Sequence, residues 1–342
     1  FYKQYYSANL MTLVVLGKEP VEELKKMVES RFNAVPNSDA VAFTETAPLV
    51  APEQLPAQLN IRSVKDVRNL TLTFAMDPVR EHWRKKPLYF IASQLGYEGK
   101  GSLLADLKAR GWATGLGAYT SNDLENAAAL TIDVSLTPEG MKHQREIVQL
   151  FFHTVDLLKQ EGVRESLYNE ERQQLQTRFQ FADKAEPIHY VGQLARTMQE
   201  RPLENVINSR YMLEQFDADL IQSYLAQITT DNMLVTVISN DQQTDRQGPN
   251  FKVDYSLRGL NPTELAQLTA LTQLGLEYNQ LTGACDQSSI ACMQLIGKRV
   301  YHSLTRTHCS ACFTGRIPTE LGQLTTLKRF SLSGNQLTGE CD

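Results

Sequence analysis

Residues 68–76 have the sequence Arg-Asn-Leu-Thr-Leu-Thr-Phe-Ala-Met, and residues 137–141 have the sequence Thr-Pro-Glu-Gly-Met. In the first stretch apolar residues alternate with threonines, which predicts a strand that is buried on one face only. The second stretch is typical of a helix start, with Thr as N-cap, Pro in the first turn and an acid behind it. Apolar residues at helical spacing continue as far as Leu158. A half-buried strand combined with a long amphipathic helix indicates an α+β fold.

The elements around this pair follow the same mixed pattern. We expect further strands near 112–119, 127–136 and 233–238, and helices over 88–95, 103–110, 163–182, 187–200 and 217–226. Because strands and helices do not alternate strictly, we predict a layered antiparallel sheet with helices on one face. Upstream, the apolar run 8–16 closed by Gly17 predicts a buried strand, and the apolar stripe after Pro20 predicts a helix. Together they would end a unit whose first part lies further upstream.

Composition and charge argue against two classes of partner. The 342 residues carry a net charge of −5, which is too small to indicate nucleic acid or an anionic membrane. No run of 18 apolar residues occurs, so the sequence predicts no membrane-spanning segment and no membrane partner. The chain opens on Phe1 without an initiator Met or a signal peptide, from which we expect a fragment of a longer protein.

The stretch from Gly259 onward differs from the rest of the chain. All five cysteines lie in it, while the whole net charge lies before it. Residues 259–283 recur as residues 315–339, with fifteen of the 25 aligned positions identical. The pattern resembles plant-type leucine-rich repeats, although solenoids stack about three units to bury a continuous core. We therefore predict a short leucine-rich-repeat tail over 259–342, with an irregular insert at 284–314.

The histidines do not form a zinc motif. No two of the six are four residues apart, so the chain has no H-x-x-E-H or H-E-x-x-H helix. His308, Cys309 and Cys312 form the tightest group of ligand-type residues, but the second cysteine pair of a zinc site is missing, and we interpret the group as a coincidence. We predict no catalytic residue, no metal ligand and no cofactor in this chain.

A glycine-rich turn, Gly96-Tyr97-Glu98-Gly99-Lys100-Gly101-Ser102, separates two predicted helices. Its spacing does not match a phosphate-binding loop or a dinucleotide-binding fingerprint. Two interpretations remain, a structural turn capped by Ser102 or a set of free N–H groups that holds a chain terminus or a carboxylate. The next strand leaves a similar choice at Leu116-Gly117-Ala118, between a bulge and close approach by another backbone at a sheet edge.

Three long motifs carry a family resemblance. They are Phe1 to Met11 (FYKQYYSANLM), Ile61 to Leu70 (IRSVKDVRNL) and Gly96 to Trp112 (GYEGKGSLLADLKARGW). In this order they resemble segments of the insulinase/pitrilysin-type zinc metallopeptidases, and the resemblance covers about residues 1–258. It implies four homologous α+β domains around a chamber, with zinc held by an H-x-x-E-H helix of the first domain. Zinc is therefore expected for the full-length family and not for this chain. The resemblance also implies that the chain stops before the third and fourth domains.

The resemblance divides the chain into five parts. Residues 1–39 correspond to the end of a first domain without its zinc motif, 40–59 to a linker, 60–240 to a second α+β domain, 241–258 to a linker and 259–342 to the tail. In the insulin-degrading branch of the family, the glycine-rich turn and the edge strand anchor the N-terminal end of the substrate. Carried over, this points to seven substrate-binding residues: Gly96, Tyr97, Glu98, Gly99, Leu116, Gly117 and Ala118. Position 97 usually carries His in the family.

The implied function is a non-catalytic, substrate-chamber portion of a zinc metalloendopeptidase that is inactive alone. Its expected partners are a peptide or an unfolded polypeptide segment, and the missing catalytic half. Two alternatives stay open, a leucine-rich-repeat interaction module on a peptidase-like scaffold, and a chimeric gene model that joins two unrelated coding pieces. We expect a soluble protein, and the resemblance leaves a periplasmic or cytosolic location open.

Overall fold

A seven-stranded sheet forms the framework of the protein. The computed structural model describes residues 5–261, 263–265, 273–275 and 329–331. The strands lie side by side in the order β3-β4-β2-β5-β1-β7-β6, so β3 and β6 are its two edges. Their bounds are β1 (Ala57–Arg62), β2 (Asn69–Met76), β3 (Ala113–Ser121), β4 (Ala128–Leu136), β5 (Met233–Ser239), β6 (Arg246–Gln247) and β7 (Asp254–Gly259).

One strand pair of this sheet departs from the antiparallel arrangement that the sequence predicts. β1 and β5 run parallel, with Leu59 opposite Thr236, while the other paired strands of the sheet are antiparallel. Parallel neighbours need a long crossover connection, which the residues from β2 to the last helix provide. The α+β fold class is confirmed, and the predicted antiparallel sheet is corrected to a mixed one.

Helices cover one face of the sheet. Leu70, Leu72, Phe74 and Met76 of β2 are almost completely buried under them, and the Phe74 ring stacks on Phe151 with 5.6 Å between centroids. In the described part of the chain, none of the helices is both long and apolar enough to cross a membrane. The main helices are α1 (Val21–Phe32), α2 (Pro87–Leu95), α3 (Leu103–Ala109), α4 (Gln144–Glu161), α5 (Glu165–Gln180), α6 (Pro187–Glu200) and α7 (Ala218–Ala226).

The longest of these helices, α4, begins later than the sequence predicts. Thr137 does act as a cap, because its Oγ1 accepts a hydrogen bond from the Gly140 N–H at 2.9 Å. The element that it caps is a short 3-10 turn, Gly140–Lys142, and α4 itself begins only at Gln144. The Thr137 hydroxyl therefore caps the 3-10 turn that precedes α4, and not the first turn of α4 itself.

The N-terminal residues lie outside the sheet. Residues 8–16, predicted as a buried strand, form a 3-10 turn at Ala8–Leu10 followed by an unpaired segment, so this prediction is wrong. An apolar run becomes a buried strand only where another strand pairs with it, and no strand of the described residues does so here. The helix predicted after Pro20 is present as α1, but none of its residues is buried.

The sheet extends beyond the predicted domain limits. β1 begins inside the stretch 40–59 and β7 lies largely inside 241–258, both of which the sequence predicts as linkers. β7 pairs with β1, and the Leu260 N–H donates to the Pro56 carbonyl at 3.0 Å just beyond that pairing. The strands of one sheet therefore run from Ala57 to Gly259. The division of the chain into domains stays a prediction.

The described residues include only short pieces of the tail. β8 (Gln273–Gly275) and β9 (Arg329–Ser331) pair in parallel, with Gln273 opposite Arg329. These two residues occupy equivalent positions in the two predicted repeats. Most of both repeats, the insert 284–314 and the group His308, Cys309 and Cys312 lie outside the described residues. The leucine-rich repeats therefore stay a prediction.

Candidate functional site

A groove of about 1420 Å³ opens between α2 and α6. Ala118, Tyr119 and Thr120 of β3 contribute to its lining, and α5 contributes further residues. α6 forms a wall of the groove although none of its residues is buried. Thr12 donates a hydrogen bond to the Ala195 carbonyl at 2.8 Å and so attaches α6 to the segment that precedes the sheet.

The glycine-rich turn connects α2 to α3. At its start the Gly96 N–H donates to the Ala92 carbonyl at 2.8 Å, and at its end Ser102 Oγ accepts from the Ala105 N–H at 3.1 Å. The structural turn capped by Ser102 is thus confirmed. Between these two points, the N–H groups of residues 98–101 donate to no acceptor in the described part of the chain. Free donors in a turn are able to hold an anionic or carbonyl oxygen.

The glycine-rich turn lies against the edge strand. A Cβ atom on Gly96 would be 3.0 Å from the Ala92 carbonyl oxygen and 3.4 Å from the Ala118 nitrogen. Such a close approach of two backbones favours a residue without a side chain. The two segments that the sequence singles out separately therefore meet at Gly96 and Ala118.

β3 has one side free for pairing. It pairs with β4 from Gly115 opposite Ser135 to Ser121 opposite Ala129, and no other described strand lies beside it. Its only register shift falls between Ala113 and Gly115, so Leu116-Gly117-Ala118 is regular strand and the bulge interpretation does not hold there. Unpaired N–H and C=O groups along such an edge are able to pair with an extended peptide.

The predicted site residues differ in what they present to a ligand. Leu116 is buried in the core, so only its backbone is available. Gly117 faces open space. The Tyr97 side chain is 60% exposed and its ring lies over Gly99, where a Cβ atom would overlap the ring. Glu98 is exposed. The structure brings Gly96 and Ala118 together, and the substrate-binding role of all seven residues stays a prediction.

Sequence reasoning missed the cations of the groove. Lys86 lies directly before α2 in a left-handed conformation (φ 44°), and its Nζ donates to the carbonyl oxygens of Ser209 at 2.9 Å and Arg210 at 2.6 Å. Burial, together with the positive charges of Arg201 and Arg210, lowers the pKa of Lys86 to about 8. These cations lie far apart in the sequence, so no local motif could have identified them.

The described residues do not fit a zinc site. No three His, Cys, Asp or Glu side chains of the described ranges lie together in an arrangement that could hold a metal ion. The described residues therefore offer no set of donor side chains for a zinc-dependent reaction step.

Two family models match the chain. One described as the Peptidase M16 inactive domain matches residues 1–175, and one described as the middle or third domain of peptidase M16 matches residues 179–279. The second match begins within α5, although β5 and β7 further along complete the sheet that starts at Ala57. The resemblance implied that the chain stops before the third domain, whereas residues 179–279 match a model of the middle or third domain.

Several characterised proteins are similar over most of this chain. The insulin-degrading enzymes of Drosophila melanogaster and Homo sapiens are 30% and 32% identical, over 82% and 75% of the chain. The A-factor-processing enzyme of Saccharomyces cerevisiae is 31% identical over 75%. The chain covers 28%, 25% and 25% of these three proteins, about a quarter of each. A crystal structure of pitrilysin superposes with a TM-score of 0.75 at 25% identity, and covers 78% of this chain and 29% of pitrilysin.

Proposed function

The chain belongs to the peptidase M16 family, and on that premise we propose that it is a non-catalytic, substrate-holding portion of an insulinase/pitrilysin-type zinc metalloendopeptidase. The match to a family model described as an inactive domain supports this assignment. The substrate class that we propose is an extended peptide or an unfolded polypeptide segment. Because the chain spans about a quarter of its relatives, the activity of a complete protein is part of the proposal.

The observation that carries the proposal is the position of the free β3 edge beside the groove. An extended peptide that pairs with β3 would add a strand to the sheet next to Ala118. Gly96, Tyr97, Glu98 and Gly99 would then lie close to one end of that peptide, where free N–H groups of the turn supply donors. Leu116 and Gly117 would contribute through their backbone. This assigns the seven predicted residues to one peptide-binding edge.

Peptide binding is tested with a side chain that blocks the edge. Ala118→Trp places a bulky side chain at the close contact between β3 and the glycine-rich turn, so we expect roughly a tenfold loss of affinity for an unstructured fluorescent peptide, measured by anisotropy. Thr114→Trp is the matched control, because Thr114 is an exposed residue of the same strand outside the groove lining. Equal affinity of both variants would contradict binding at this edge.

The same preparations test the absence of catalysis. We expect no cleavage of a quenched fluorescent peptide by the chain with added zinc. Cleavage that a chelator abolishes would contradict the assignment as a non-catalytic portion, whatever the peptide affinity is.

The exposed N-terminal surface supports a catalytic half as second partner. Met11, Leu13, Val15 and Leu16 are each about half exposed in an unpaired segment, and Val21, Met27 and Phe32 of α1 are also exposed. A strand-forming run without a strand neighbour is suited to pairing with another chain or domain. We propose that these apolar residues pack against a peptidase domain that carries the H-x-x-E-H helix.

This partner is tested by mixing the chain with a separately produced family domain that contains H-x-x-E-H. We expect complex formation by size-exclusion chromatography, and loss of the complex in Leu13→Asp. Phe251→Asp changes an apolar residue that is 91% exposed between β6 and β7, and should leave the complex intact. The proposal fails if Leu13→Asp and Phe251→Asp behave alike.

A second candidate function, a leucine-rich-repeat interaction module, has one observation in its favour. β8 and β9 pair in parallel at equivalent positions of the two repeats, as the strands of a solenoid do. Hydrogen exchange tests this candidate. Protection of amides after Gly259 supports a folded tail, and its absence there eliminates the module.

A further inference from the structure

The groove is lined by five Lys and Arg side chains and by four carboxylates, Asp123, Glu171, Asp183 and Glu200. Five cations line it, and none forms an ion pair with a carboxylate of the described residues: Lys86, Arg178, Arg196, Arg201 and Arg210. Asp123 and Glu200 lie 3.9 and 3.6 Å from nitrogens of Arg80, and both also favour the charged form of Arg201. Glu171 accepts a hydrogen bond from the Tyr89 hydroxyl at 3.3 Å. Lys86 and Arg201 are partly buried, whereas Arg178, Arg196 and Arg210 are exposed. Partly buried charged groups normally form ion pairs, so Lys86 and Arg201 together have capacity for an anion.

Lys86 is the most constrained of these cations. Its ammonium group is held by the Ser209 and Arg210 carbonyls, which use two of its three N–H donors. The two charged groups that act on its pKa, Arg201 and Arg210, are both positive. The left-handed backbone of Lys86 further fixes where its side chain begins. One donor and an uncompensated charge thus remain in the groove.

Arg201 is positioned beside Lys86. Its guanidinium carbon lies 5.5 Å from the centre of the Trp83 ring, and its Nη1 donates to the Glu200 carbonyl at 2.9 Å. Its other N–H groups have no described acceptor, and they keep the planar arrangement that suits a carboxylate. The ring contact and the backbone hydrogen bond restrict the guanidinium before a ligand arrives.

We propose that the groove selects peptides with an Asp or Glu side chain, whose carboxylate is held between Lys86 and Arg201, with Arg210 adding positive charge. The inference rests on the proposed peptide binding at β3, since Ala118, Tyr119 and Thr120 line the same groove. A peptide paired with β3 directs alternate side chains towards the two faces of the sheet. One of those sets faces the groove. Acidic substrates would gain a charge-assisted contact that uncharged ones lack.

The experiment compares two peptides that differ only in Asp and Glu against Asn and Gln, with the full chain. We expect the acidic peptide to bind roughly tenfold more tightly in low salt, and we expect the preference to shrink between about 0.05 M and 0.5 M NaCl because salt screens charges. Arg201→Met should remove most of the preference without changing the affinity for the amide peptide. Lys86→Met should do the same, while Lys86→Arg keeps the preference.

Lys108→Met is the matched control, because Lys108 is exposed on α3 outside the groove lining. If the folding of Lys86→Met is impaired by circular dichroism, the Arg201→Met result decides alone. Equal binding of both peptides overturns the selection of acids but leaves peptide binding intact. Binding of neither peptide overturns peptide binding and acid selection together.

A last binding measurement uses inorganic phosphate as a competitor of the acidic peptide. If millimolar phosphate displaces the acidic peptide and binds independently of Ala118→Trp, the groove is a general anion site and the peptide proposal is overturned.

Discussion

The carbonyl oxygen of Trp112 occupies the space in which a Cβ atom on Gly140 would lie. The same carbonyl accepts a hydrogen bond from the Thr137 N–H at 3.0 Å, so it is fixed in this position. Trp112 also stacks on His143, with 4.3 Å between ring centroids. The start of β3 is therefore held against the turn before α4 through a contact that only glycine permits.

Gly140→Ala should destabilise the protein by about 2–4 kcal/mol, because the new methyl group displaces a hydrogen-bonded backbone. Urea denaturation of the two proteins measures the difference. Gly192→Ala is the control, since Gly192 lies within α6 and nothing lies within 4 Å of its Cβ position. That change should stabilise by about 0.5–1 kcal/mol through helix propensity. Similar values for both variants would contradict the Trp112 contact.

Gly96→Ala should separate the glycine-rich turn from β3. The methyl group would be 3.0 Å from the Ala92 carbonyl oxygen and 3.5 Å from the Ala118 Cβ atom. We expect a loss of about 1–2 kcal/mol in stability and weaker peptide binding, measured by denaturation and anisotropy. Gly117→Ala, in open space on β3, should change the stability by no more than a few tenths of a kcal/mol.

Tyr168→Phe should remove one buried, bifurcated hydrogen bond. The single hydroxyl proton of Tyr168 is shared between two carbonyl oxygens, that of Lys85 at 3.0 Å and that of Gln215 at 2.9 Å, and the residue has no solvent exposure. We expect a loss of about 1–3 kcal/mol at neutral pH. Tyr119→Phe, at an exposed position, should be neutral.

The pH dependence of Tyr168 has a defined sign. Burial raises the pKa of Tyr168 to about 12, above its ordinary value of 10.0. The folded state therefore keeps this proton longer than the unfolded state does, and stability from this group declines as pH rises from about 10 to about 12. The Tyr168→Phe variant lacks the titrating hydroxyl, so its stability should not fall for this reason. The difference in stability between the unchanged protein and the variant should therefore narrow above pH 10.

Lys86 should have the opposite effect on stability: over a lower pH range, the stability of the protein should increase as pH rises. Its pKa falls from 10.5 to about 8 on folding, so the unfolded state binds more protons between these values. The unfavourable burial of the ammonium is complete below about pH 8 and is relieved as pH rises towards 10.5. Relative to Lys86→Met, the unchanged protein should gain on the order of 1–2 kcal/mol between about pH 7.5 and 9.5. Lys108→Met should show no such change in the difference.

Much of the sheet and its helices could be predicted because each element carries its own pattern. The alternation of Leu70, Leu72, Phe74 and Met76 determines the buried face of β2 without reference to any other residue. The N-cap at Ser102 is equally local, and its hydrogen bond to Ala105 is present. The parallel pairing of β1 with β5 has no local signature, because it depends on which strand edge remains free after the chain has crossed the sheet.

The apolar run 8–16 shows why hydrophobicity alone misled the prediction. Leu13, Val15 and Leu16 have strand-forming side chains, but strand pairing requires a neighbour that the described residues do not contain. The cations of the groove show the opposite situation, because they are present in the structure but no sequence pattern predicts them. Lys86 and Arg201 are unremarkable in sequence, and only folding places one beside the other.

The attachment of Thr12 to α6 has a consequence for any shortened version of this protein. A helix without buried residues has little to keep it at a fixed distance from the sheet, so a single hydroxyl from outside the sheet helps to set how wide the cleft opens. Removing residues 5–39 takes away none of the seven strands of the sheet, and we expect it to change the distance from Arg196 of α6, and from Arg201 directly after it, to the β3 edge. The proposed peptide binding would therefore depend on residues outside the sheet as well as on β3.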